Sequence, residues 1–189
     1  FLFAGALIAA SLFSVNSVMA GDVVTPTASV TVNLKFKPVM SIAVNTNPDH
    51  KTVNFLYETE EHYRKGVEAQ SFKEHLTVFS SGGFEVKLST TGPNFTSEND
   101  NTTIPVSSVS VKATPSGTHT NTYTTGSVNL SSTDPFIKSS KGGIDLKFDV
   151  EYDDSGFNPA TFINGYNKEF SPEGATVFTT TLTYTITAS

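Results

Sequence analysis

Apolar and polar residues alternate along several stretches of this 189-residue chain, and a period of two is typical of half-buried β-strands. The longest alternation covers residues 28–36 and resumes from Met40 to Val44, after Pro38. Its first part has an apolar face made of Ala28, Val30, Val32, Leu34 and Phe36. Because proline donates no hydrogen bond to a strand ladder, the pattern predicts two strands that meet at Pro38.

Six further segments have the length and composition of short strands: residues 53–57, 76–79, 84–89, 106–113, 144–152 and 178–188. The turn at residues 80–83 predicts a hairpin between two of them, because its glycines accept positive φ angles. Residues 57–75 are dense in charge and predict an exposed irregular crossing. Seven or so strands with turns every ~8–12 residues predict an all-β, immunoglobulin-like sandwich.

The clearest of these strands is 144–152, whose apolar face alternates with charged residues. That face consists of Ile144, Leu146, Phe148, Val150 and Tyr152. The final segment likewise places Phe178, Leu182, Tyr184, Ile186 and Ala188 on one side. The sequence therefore predicts which side of each strand faces the core.

Composition removes several function classes. The chain has no cysteine, which excludes disulfides, thiolate metal sites and cysteine catalysis. It has 12 Lys and Arg against 18 Asp and Glu, a net charge of -6. A sequence-independent nucleic-acid binder needs a basic face, so no nucleic-acid partner is expected.

Residues 1–20 are uncharged, mostly apolar and end in Val18-Met19-Ala20. This pattern predicts a secretory signal peptide that is cleaved after Ala20. A membrane anchor is the alternative, but Ser11, Ser14, Asn16 and Ser17 leave an apolar run shorter than the ~20 residues that span a bilayer. The expected mature chain works in a periplasm or outside a cell.

Acidic and histidine residues follow no metal-binding pattern. Asp149, Glu151, Asp153 and Asp154 interleave with apolar positions, which indicates the solvent face of a strand rather than a calcium loop. The charged group of Glu58, Glu60, Glu61 and His62, with His75 downstream, lacks the histidine spacing of a zinc helix and predicts a solvated loop. His50 and His119 lie beside turn residues and are expected to be exposed.

Motifs for catalysis are also missing from the sequence. No G-x-S-x-G elbow is present, and Gly82-Gly83 and Gly142-Gly143 precede predicted strands rather than helices. We therefore expect no enzyme, no catalytic or metal-binding residue and no cofactor.

Residues 28–44, ASVTVNLKFKPVMSIAV, resemble the opening of pilin subunits of the chaperone–usher pathway, especially the disulfide-free alpha class of coli surface pilins. The segments 53–57, 76–79, 84–88 and 104–106 and the closing strand 179–189 are similar in pattern to that family. The charged stretch 57–75 departs from it. The resemblance implies a signal peptide at 1–20, a donor-strand arm at 21–37 and an incomplete sandwich at 38–189.

The resemblance further implies a structural subunit that polymerises by donor-strand exchange into surface filaments used for adhesion. Val30, Val32, Leu34 and Phe36 would fill the groove of the next subunit. Leu182, Tyr184 and Ile186 would form one wall of that groove and pair with a chaperone strand before assembly. The implied partners are identical or related pilin subunits, a periplasmic chaperone, an outer-membrane usher and a host receptor.

Two other functions fit the same pattern. One is a secreted monomeric β-sandwich that binds a carbohydrate or a host protein through the loops 90–103 and 114–127, and the other is a biofilm-matrix fibre protein. Alternation also allows residues 28–36 to be an ordinary first strand of their own domain, since it does not reveal whose sheet a strand joins.

Overall fold

The computed structural model of this chain describes residues 26–97, 102–117, 122–154, 156, 158–166 and 174–189. The chain divides into two units, Phe1–Lys35 and Phe36–Ser189, and the strands and helices among these residues belong to the second. The predicted signal peptide lies outside the described residues. The second unit is a sandwich of antiparallel sheets, so the predicted all-β sandwich is confirmed.

Five strands form the first sheet, in the order β1–β2–β10–β6–β8. They are β1 (Met40–Val44), β2 (Gln70–Ser80), β10 (Gly143–Asp153), β6 (Ser110–Pro115) and β8 (Ser127–Asn129). β2 lies between β1 and β10, and its Val78 pairs with Ile42 on one side and Leu146 on the other.

Four strands form the second sheet, in the order β11–β3–β9–β7. They are β11 (Leu182–Ala188), β3 (Phe84–Thr90), β9 (Ile137–Ser139) and β7 (Tyr123–Thr125). A small hairpin adds β4 (Asn94–Thr96) and β5 (Thr103–Pro105), inside a stretch that the sequence predicted to be only a loop. The described helices are α1 (Glu60–Lys65), α2 (Pro159–Phe162) and the single 3-10 turns Pro48–His50 and Val106–Ser108.

The core lies between the two sheets and follows the alternation of their longest strands. The apolar face of β10 is completely covered, with Leu146, Phe148, Val150 and Tyr152 between 0% and 6% exposed. Phe84, Val86 and Leu88 of β3 face them from the second sheet and are buried too. The predicted inward face of β10 is therefore correct, except at Ile144.

Ile144 is 74% exposed, although the alternation placed it on the inward face. The register of β10 against β2 shifts between Gly143 and Leu146, and Asp145 adopts a positive φ of 51°. Such a β-bulge adds a residue to one strand and reverses the facing of those before it. The local break in pairing therefore turns Ile144 outward.

Three other predictions are wrong in detail. Residues 53–57 form no strand, and residues 57–75 contain α1 and the beginning of β2 rather than only an irregular crossing. Thr59 caps α1 by accepting a hydrogen bond from the His62 amide, and Gly66 ends it with a φ of 89°. The turn at 80–83 is not a hairpin turn, because β2 and β3 belong to different sheets.

Candidate functional site

One side of the sandwich ends in two strands that each have a single neighbour. Among the described strands, β1 pairs only with β2, and β11 pairs only with β3. Cα atoms of β1 and β11 come within 8 Å of each other, and Met40 at the start of β1 lines the same cavity as Ala188 at the end of β11. β1 of the first sheet and β11 of the second sheet therefore run antiparallel beside each other. We call this side of the second unit the open edge.

The backbone of β11 offers hydrogen-bonding groups along the open edge. Thr181 accepts a hydrogen bond from the Thr91 amide, and the Ser189 amide donates to the carbonyl of Gly83. Residues alternate in direction along an antiparallel ladder, so the odd-numbered residues of β11 bond to β3. The amides and carbonyls of Leu182, Tyr184, Ile186 and Ala188 point away from β3.

The same alternation holds in β1. The Asn45 amide donates to the His75 carbonyl, and Val39 accepts from the Ser81 amide, so the odd-numbered residues face β2. Met40, Ile42 and Val44 then direct their amides and carbonyls to the open edge. No described strand pairs with these groups, and such a row is a template on which another strand can pair.

The side chains along the open edge are not completely covered. Leu182, Tyr184 and Ile186 of β11, together with Met40 and Ile42 of β1, pack against the core but remain partly exposed. A cavity of ≈ 390 Å³ opens at the end of this edge where β1 begins. Met40, Pro38 and Phe36 line it on one side, and Gly82, Gly83, Ala188 and Ser189 line it on the other.

The alternating segment, residues 28–36, forms no strand, and β1 begins only at Met40. The prediction of two strands that meet at Pro38 is therefore correct only for the second. Val30, Val32 and Leu34 in the first unit are 87%, 79% and 78% exposed, and Phe36 at the start of the second unit is 89% exposed.

Behind Tyr184, a row of polar side chains crosses the interior between the sheets. The Tyr184 and Tyr152 hydroxyls form a hydrogen bond, and Tyr152 Oη lies 2.9 Å from His75 Nε2. On the other side of the ring, His75 Nδ1 lies 3.3 Å from His50 Nδ1. We call His50, His75, Tyr152 and Tyr184 the tyrosine–histidine chain, and it connects β11 with β10, β2 and the turn after β1.

Burial keeps the inner members of this chain uncharged at neutral pH. Loss of solvent lowers the pKa of His75 to about 4, and the adjacent His50 contributes to the decrease. Burial raises the pKa of Tyr152 to about 12, and burial and the neighbouring Tyr152 raise the pKa of Tyr184. The tyrosine–histidine chain is therefore a neutral hydrogen-bonded network next to the open edge.

The sequence did not predict this network. It placed His75 in a solvated loop and His50 in an exposed turn, but His75 is 2% exposed and His50 is half-buried. The cause is a second register shift, between Phe148 and Val150 of β10, opposite Glu74 with its φ of 48°. This bulge turns both His75 and Leu76 inward, which no simple alternation indicates. His119 lies outside the described residues.

The predicted acidic face of β10 has a structural explanation in ion pairs. Asp149 accepts hydrogen bonds from Lys73 Nζ and the Glu74 amide, and Lys147 pairs with Glu74. The solvent-facing prediction is wrong for Asp154, which is buried because it accepts hydrogen bonds from the Tyr57 hydroxyl and the Val67 amide. Among the described residues, no group of three or more His, Asp or Glu side chains could hold a metal ion.

Comparisons with protein-family models and with curated protein sequences find no match to this chain. Within the described ranges, no helix is both long enough and apolar enough to cross a bilayer.

Proposed function

We propose that this chain is a structural subunit of a surface filament, in which the alternating segment of one copy completes the open edge of the next. The observation that carries the proposal is that the same chain has both an apolar segment without a sheet and a sheet edge without a second neighbour. Residues 28–36 present an apolar row outside any strand, and among the described strands β1 and β11 each have a neighbour on one side only.

The two features are complementary in chemistry. An added strand would bond to the even-numbered residues of β11 or β1, and its apolar face would cover Leu182, Tyr184 and Ile186. Val30, Val32, Leu34 and Phe36 gain ~1.5–3 kcal/mol each on full burial, or roughly 6–12 kcal/mol together, before backbone bonds and the cost of ordering. That sum supports slow dissociation.

Donation from one copy to the next does not close on itself. The donated segment and the open edge are different surfaces, so the contact is heterologous and continues as a filament. This geometry agrees with the resemblance to chaperone–usher pilins, and we extend the proposal to a periplasmic chaperone that covers the open edge before assembly and to export to the cell surface. We assign no enzymatic role.

The test compares two substitutions of similar size on opposite faces of the alternating segment. Leu34→Asp buries a charge in the groove of the next copy, and we expect no filaments by electron microscopy of the cell surface. Asn33→Asp places the charge on the polar face and should leave filaments at wild-type density. An immunoblot of the periplasm confirms that both variants are exported.

This experiment and two further observations separate the alternatives. Normal filaments from exported Leu34→Asp would refute donation by this segment. A mature chain that is a stable, compact monomer when expressed alone would instead favour a secreted binding module. Wild-type filaments that form without any chaperone or usher would favour a matrix fibre that uses another secretion route.

A further inference from the structure

The tyrosine–histidine chain joins the open edge to the centre of the sandwich. Tyr184 lies on β11, the outermost strand of its sheet, and its hydroxyl bonds to Tyr152 on β10 of the opposite sheet. Tyr152 in turn contacts His75 on β2. The hydrogen bonds therefore hold an edge strand with a single neighbour to two strands of the other sheet.

Among the described residues, His75 has no charged partner in its surroundings. The groups that face it are His50 from the turn after β1, Tyr152 from β10, Tyr184 from β11 and Phe72 from its own strand, with ring centroids 5.3–6.1 Å away. Glu74, its neighbour in β2, pairs with Lys147 on the solvent face. A positive charge on His75 would consequently be buried without a carboxylate to balance it.

The number of protons that the tyrosine–histidine chain can hold is also restricted. His50 and His75 approach each other through their Nδ1 atoms, and one of these must carry a proton while the other accepts. The two rings cannot both be imidazolium without losing that bond. The pair can hold one added proton and keep that bond, so a second proton is the one that breaks it and favours a state in which His75 leaves its site between the sheets.

We propose that the tyrosine–histidine chain is an acid-sensitive latch that holds β11 against the core at neutral pH and releases it when His75 is protonated. The inference rests on the proposed function, since β11 is there the wall that retains the neighbour's segment. Release of this wall lets the donated segment leave. Filaments should then dissociate more readily in mild acid.

The sign and size follow from the two states of His75. The folded pKa of about 4 lies below the ordinary 6.5, so the unfolded chain takes up the proton first and stability is lost as pH falls from 6.5 toward 4. Between pH 7 and pH 5 this favours the opened state by about 20-fold.

The experiment measures the dissociation of purified full-chain filaments in a fixed concentration of guanidinium chloride at pH 7 and pH 5. For the wild type, we expect the dissociation rate to be about 20-fold higher at pH 5 than at pH 7. For His75→Gln, which keeps an amide for hydrogen bonding but does not titrate, the rate should change by less than ~3-fold. His62→Gln on α1 is the matched control and should keep the wild-type ratio. An unchanged ratio in His75→Gln would overturn the latch.

A second variant and a second measurement keep the test decisive if His75→Gln does not assemble. Tyr184→Phe removes the bond to β11, so its filaments should dissociate faster at pH 7 and show a smaller ratio between the two pH values. A wild-type ratio in Tyr184→Phe would also contradict the latch. If the wild type forms no filaments, the proposed function fails, and the same pH ratio is then read from unfolding of the isolated chain by circular dichroism.

Discussion

The centre of the first sheet and the open edge carry the same alternation in sequence but differ in burial. β10 has a neighbour on both sides, and its inward residues from Leu146 to Tyr152 are fully covered. β11 has a neighbour on one side, and Leu182, Tyr184 and Ile186 remain partly exposed. Alternation therefore reports which face of a strand is inward, whereas the number of neighbours determines how completely that face is buried.

The largest expected effect tests this difference by removing one side chain in each region. Phe148→Ala empties a fully buried position and should lower the free energy of unfolding by ~3–5 kcal/mol. Ile186→Ala removes a half-buried side chain and should cost only about 1–2 kcal/mol. Chemical denaturation of the isolated chain measures both values.

In the assembled filament, the difference between the stability losses of Phe148→Ala and Ile186→Ala should be smaller. If a neighbour's segment covers β11, Ile186 becomes fully buried there, and the loss from Ile186→Ala should approach that of a core substitution. Equal losses for Ile186→Ala in the isolated chain and in filaments would mean that nothing covers β11 in the assembly.

A smaller effect concerns backbone packing where β2 and β10 meet. A Cβ added to Gly142 would lie 2.1 Å from the Ser80 carbonyl oxygen, so Gly142→Ala forces these two backbone segments apart. We expect a loss of ~1–3 kcal/mol, as for other overpacked sites. Gly126→Ala is the control, because no atom lies within 4 Å of its added Cβ. Thermal unfolding of the two variants should differ clearly, and equal melting temperatures would contradict the tight contact.

The smallest effect is expected on the solvent face of the same sheet. Lys73 pairs with Asp149 across β2 and β10, but its side chain is 85% exposed. Exposed ion pairs contribute little, so Lys73→Ala should change the free energy of unfolding by less than ~1 kcal/mol. A denaturation midpoint close to that of the wild type is the expected result. A loss as large as that of Phe148→Ala would show that burial of apolar side chains is not what chiefly stabilises this sheet.

The sequence predicted β3, β10 and β11 well because each buries one face over many residues, but it identified only residues 76–79 of the eleven-residue β2. The inward residues of the later part of β10 and of β11 up to Ile186 follow from alternation alone, whereas Ala188 at the end of β11 is exposed. The three-residue strands β4, β5, β7, β8 and β9 are too short to show a period and depend on contacts with distant strands. Residues 53–57 show the reverse case, since their β-forming composition yields no strand.

The candidate site was predictable in its apolar residues but not in its polar network. Leu182, Tyr184 and Ile186 were identified from the final alternation and do lie along one edge strand. The position of His75 depends on the bulge at Glu74, which arises from pairing with β10 about 75 residues later in the chain. A backbone irregularity of this kind depends on tertiary contacts, so local sequence rules do not reveal it.

The rim opposite the open edge affects the valency of the molecule. There the outer strands are β7 and β8, and each is only three residues long. Very short outer strands give an incoming chain too few bonds to hold it. In the part of the chain that the structure describes, a copy therefore has one long open edge, so under the proposed function growth by addition to that edge would yield a linear polymer without branches.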